Sequence, residues 1–85
     1  MSSNLYWLPP PKEQVRNDIG YLKYEIGRYY DSDYNGEGFE RTVGKELIPF
    51  LKGIIAVGGE KQAQDAAKLI VAIEYYGEVQ LINGW

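Results

Sequence analysis

Residues 60–76 restrict the fold more than any other part of the chain. Leu69, Ile70, Val71, Ala72 and Ile73 follow one another without a polar break, and Ala63, Ala66 and Ala67 lead into them. Polar side chains survive only on a narrow line near Lys61, Gln64, Asp65 and Lys68. The apolar run alone is also compatible with a buried strand, but its alanine-rich lead-in favours a helix. Gly58-Gly59 punctuates the start, and Glu60 then falls in the first turn, where a negative charge meets the positive end of the helix dipole. The pattern therefore predicts a helix over 60–76. A helix that is apolar nearly all round is buried nearly all round. A chain of 85 residues has little else with which to cover it. Two partner helices and a second copy of the chain would complete the cover, so a two-fold homodimer is expected.

The rest of the pattern supplies those partner helices. Val15, Ile19, Leu22, Ile26 and Tyr29 recur at helical spacing and share one stripe. Pro11 suits a first helical position, so helix 1 is expected over 11–30. Gly20 and Gly27 either sit idle on its solvent side or leave a flat strip, on which Trp7 is the ring expected to lie. Val43, Leu47, Phe50 and Ile54 form a second stripe, predicting helix 2 over 38–57. Pro49 removes one of its hydrogen bonds and crowds the preceding turn, so a kink or break is expected near 45–49. The Gly58-Gly59 connection is short enough to make helices 2 and 3 an antiparallel pair.

The ends read differently. Leu5-Tyr6-Trp7-Leu8 before Pro9-Pro10-Pro11 predicts an extended arm over 1–10. Over 77–85, Val79 and Leu81 alternate with polar neighbours, as in a short strand, with a final helical turn as the alternative. The expected fold is all-α: a single domain over 1–85, built as a small three-helix bundle whose two extended arms can pair as a short β-ribbon.

Composition excludes more than it assigns. The chain has no histidine and no cysteine, which removes Ser-His-Asp and Cys-His nucleophilic machinery, disulfides and thiolate metal sites. Paired carboxylates remain as catalytic vocabulary, so a carboxylate-dependent enzyme or small-ligand binder stays open. The net charge of −3, with basic residues scattered among acidic ones, argues against a nucleic-acid partner. No apolar run approaches the length of a membrane span, and the first residues lack the pattern of a secretory signal. A cytoplasmic location is the expectation.

Two stretches carry chemistry. Asp31-x-Asp33-x-Asn35-Gly36 resembles the first half of an EF-hand calcium loop, with oxygen ligands at alternate positions and a glycine at the sharp turn. The second half departs from that pattern. Gly38 stands where an aliphatic residue belongs, and Thr42 stands where the bidentate glutamate belongs. Over 31–37, Asp31, Asp33, Asn35 and Glu37 are therefore candidate calcium ligands, and a solvated acidic turn is the competing reading.

The second stretch is aromatic. Eight tyrosines and two tryptophans are more rings than a small core hides. Tyr21, Tyr24, Tyr30 and Tyr34, together with Trp7, are candidates for a partner-binding face, because such rings give large contact area at low entropic cost. The function expected from the sequence is a small cytosolic protein-interaction module, of the inhibitor, immunity or accessory kind, that binds a protein partner and does not catalyse. A calcium-binding helix–loop–helix domain is the alternative.

Overall fold

The computed structural model describes residues 5–10, 16–30 and 40–83. Its architecture is mixed α/β, which corrects the expected three-helix bundle. Four strands form an antiparallel sheet in the order β2-β1-β4-β3. They are β1 (Leu5–Leu8), β2 (Asn17–Asp18), β3 (Glu40–Gly44) and β4 (Glu78–Asn83). Three helices, α1 (Lys23–Tyr29), α2 (Ile48–Val57) and α3 (Glu60–Tyr76), complete the described residues with two 3₁₀ turns at 20–22 and 45–47.

The arm and the tail do pair, with Leu5 opposite Asn83 and Leu8 opposite Gln80. The ribbon they make is the centre of the sheet, not an isolated hairpin. β3 extends it on one side, with Val43 opposite Val79. β2 extends it on the other, with Trp7 opposite Asn17. Residues that face each other across antiparallel strands project from the same side of the sheet. Leu5, Trp7, Val43, Val79 and Leu81 thus share a face, and this face meets Leu22, Ile26, Leu47, Leu51, Leu69 and Ile73 in one core.

Helix 1 is shorter than its apolar stripe suggests. Asn17 and Asp18 form a strand, and the Asp18 carboxylate accepts the Gly20 amide at 2.7 Å. A short acidic side chain that bonds to the backbone two residues on competes with helix formation. The backbone turns through the 3₁₀ segment before α1 begins at Lys23. Ile19, Leu22 and Ile26 are nonetheless all buried.

Helix 2 is likewise replaced over its first part by β3 and a 3₁₀ turn. Pro49 falls in the first turn of α2, where its missing N–H costs nothing, so the expected kink is a helix start. α3 runs over Glu60–Tyr76, and Gly58-Gly59 joins it to α2. Its predicted all-round burial is corrected. Ala66, Leu69, Ile70, Ala72 and Ile73 are buried, but Ala67, Val71, Glu74 and Tyr75 are exposed. The sheet takes the place of much of the expected helix 1 and helix 2, and together with α2 it covers one side of α3 only.

Candidate functional site

The five aromatic residues expected to form one binding face lie at separate places. Tyr21 sits in the 3₁₀ turn before α1. Its hydroxyl accepts a hydrogen bond from Lys61 Nζ at 3.3 Å, and the same ammonium lies 5.2 Å from the ring centroid. Its backbone N–H donates to the Asp65 carboxylate at 3.1 Å. That bond anchors the start of the α1 segment to α3 and gives Asp65 its reason for being buried in a helix. Tyr24 projects outward from α1 and is exposed.

Tyr30, at the end of α1, packs edge-on against Tyr29, which stacks on Phe50 of α2. The Arg41 guanidinium lies 4.3 Å from the Tyr30 ring centroid. Burial pushes the Tyr30 phenol above its ordinary pKa, against the partial opposition of Arg41. This cluster ties α1 to β3 and α2. Tyr34 lies outside the described residues, as do Asp31, Asp33, Asn35 and Glu37 of the calcium-loop resemblance. Among the described residues, no three metal-ligating side chains gather in one place.

Trp7 is on β1, not on the glycine strip of the first helix. It leans half-buried against the core, 6.1 Å from the Tyr76 ring, and Tyr76 in turn meets Tyr75 edge-on at 4.8 Å. A row of three rings therefore runs from the rim of the core to open solvent. Tyr76 is 40% exposed and Tyr75 79%. One turn before Tyr75 on the same side of α3 comes Val71, 64% exposed, and one turn before that Ala67.

The three form an apolar ridge at four-residue spacing. Beside it lies an open groove of about 710 Å³ lined by Trp7, Arg16, Asn17, Asp18, Ala67, Lys68 and Val71. Lys68 stands at its margin, 3.7 Å from Asp65. A smaller cavity of about 160 Å³ lies on the sheet between Leu8, Pro9, Pro10, Thr42 and Gln80. Neither hollow is lined by a pair of carboxylates.

Among the described residues, Trp7 is the only sequence candidate that borders the larger groove. Val71, Tyr75 and Tyr76 were hidden in a helix that reads as apolar nearly all round. The signal that could have singled them out is the four-residue spacing of Ala67, Val71 and Tyr75, opposite the stripe of Ala66, Leu69, Ile70 and Ile73. No helix among the described residues is long and apolar enough to cross a membrane. Compared with known proteins, the chain matches no family model, no curated protein and no solved structure.

Proposed function

We propose that the chain is a cytoplasmic protein-interaction module that acts by binding a protein partner, without catalysis, through the α3 ridge and the groove beside it. The observation that carries this reading is the outward ridge Ala67–Val71–Tyr75, continuous with the half-exposed Tyr76 and with Trp7. Folding does not require it. The core side of α3 is already filled by Ala66, Leu69, Ile70 and Ile73, and a helix facing only water normally carries polar residues on its outer side. Scattered apolar residues on a surface mean little, but a contiguous apolar strip bordered by polar groups marks contact surfaces. Here Arg16, Asn17, Asp18 and Lys68 supply the polar border. Tyrosine, tryptophan and an aliphatic centre are the residue types that concentrate binding energy.

The absence of histidine and cysteine supports the non-catalytic half of the reading. The test uses the chain as an immobilised bait in an extract of its host, alongside Val71→Arg, a change at an exposed position that leaves the core intact. The expected outcome is a partner retained by the wild type and lost from the variant. Identical retention by both overturns the assignment of this face.

A further inference from the structure

We infer that the partner seated on the α3 ridge is a second copy of this chain, docked antiparallel about a two-fold axis beside Val71. The inference rests on the reading of the ridge as a binding face and names its occupant. It follows from how the exposed residues are arranged around Val71. Lys68 and Tyr75 are seven residues apart and lie on one flank of the ridge. Ala67 and Glu74, also seven apart, lie on the other.

A two-fold axis perpendicular to α3 reverses the helix direction but keeps each flank facing itself. Val71 then meets Val71 of the second copy. Lys68 meets Tyr75 of the second copy, with its aliphatic stem along the ring and its ammonium, 3.7 Å from Asp65 of its own chain, at the π face. Ala67 meets Glu74 of the second copy, a small side chain opposite a long one. Symmetry makes each flanking contact twice, which is the self-complementarity an isologous interface requires.

Charge agrees with shape. Lys68 and Glu74 give the ridge one cation and one anion, so two ridges approach without net repulsion. The exposed positions from Gln64 to Tyr76 span about 18 Å along the helix axis. The Trp7–Tyr76 pair and the groove widen the contact beyond the helix itself. Standard interfaces bury about 800 Å² per partner, and a seam built on one helix lies at the modest end of that range, so a weak, reversible dimer is expected.

The chain contains no cysteine, which makes the test direct. A residue on a two-fold axis lies next to its own copy, so V71C should form an intermolecular disulfide under mild oxidation. Y24C, more exposed still but on α1, should not. Sedimentation equilibrium of the wild type should show a reversible monomer–dimer mixture. Val71→Arg sets like charges on the axis and should weaken that dimer about tenfold or more, with a melting curve that matches the wild type's at concentrations where both are monomeric.

A wild type that stays monomeric to millimolar concentration overturns the inference, as does a dimer in which V71C cross-links no faster than Y24C. If the wild type is monomeric and Val71→Arg still loses a captured partner, the occupant is wrong while the binding face stands. If Val71→Arg changes neither mass nor capture, the face itself is wrong.

Discussion

Tyr30 shows how one side chain converts packing into pH dependence. Its ring sits half-buried between Tyr29 and Arg41, and burial raises the phenol's pKa above the ordinary value of 10.0. A group whose folded pKa is raised holds its proton more firmly in the native state than in the unfolded chain. Its contribution to stability is complete below the unfolded pKa and is lost as the pH climbs through the folded one. The loss therefore begins near pH 10, from about the value of an unperturbed tyrosine upward. Tyr30→Phe keeps the ring beside Tyr29 and Arg41 but removes the ionisable group. Urea midpoints taken from neutral to strongly alkaline pH should fall more steeply for the wild type than for Y30F above that point. Parallel curves would mean that the phenol's surroundings do not distinguish its two forms. Glu46 works in the opposite direction. Its carboxylate accepts the Gly44 amide at 3.0 Å, which holds its pKa below the usual range, so its contribution is present at neutral pH and lost on acidification.

At the scale of an element, the joint between α3 and β4 rests on Gly77. Its φ of +86° is a backbone conformation that side-chain-bearing residues rarely adopt, and its amide closes the helix on Ile73 at 2.7 Å. Gly77→Ala should cost about 1–3 kcal/mol through backbone strain alone, because nothing stands where the new Cβ would go. Gly53, exposed in the middle of α2 and also with open space at its Cβ, should respond with the opposite sign. Gly53→Ala should stabilise by up to about 1 kcal/mol through helix propensity. Thermal or urea unfolding of the two variants checks the pair, and a shift of the same sign in both would contradict the backbone argument. The same elements show what a sequence can convey. α3 is legible because its apolar pattern is long and its glycines mark both ends. β4 is legible from the alternation of Val79 and Leu81. β3 is not, because Val43 and Leu47 are four apart, as on a helix, although strand and 3₁₀ turn separate them. Burial was readable there and backbone conformation was not. Of the candidate site, Trp7 was named from the sequence, but for the glycine strip of the first helix and not for a place beside α3. Val71 was not, since a sequence does not reveal which side of an apolar helix the sheet will leave uncovered.

At the scale of the whole molecule, the strand pairings run between distant parts of the chain, and this decides how the fold can fail. β4 lies at the centre of the sheet, bonded to β1 on one side and β3 on the other. Its Leu81 is fully buried between Trp7 and Arg41 in register and belongs to the core that also contains Leu69 and Ile73 of α3. The sheet therefore depends on the last strand of the described residues, and the helices depend on the sheet to cover their inner side. Leu81→Ala removes side-chain volume where all these parts meet, a change that typically costs about 2–5 kcal/mol. That is a large share of the net stability of roughly 5–15 kcal/mol of a natural domain. If the core joins sheet and helices into one cooperative unit, the loss should register equally in all of them. Native-state hydrogen exchange can read this amide by amide. The slowest amides of β1, α2 and α3 should lose protection by the same free energy in Leu81→Ala. Wild-type protection retained in the α2–α3 hairpin while β1 and β4 open would show that the helices hold together without the sheet. The apolar side of α3 that faces Leu81 would then need another explanation for its burial.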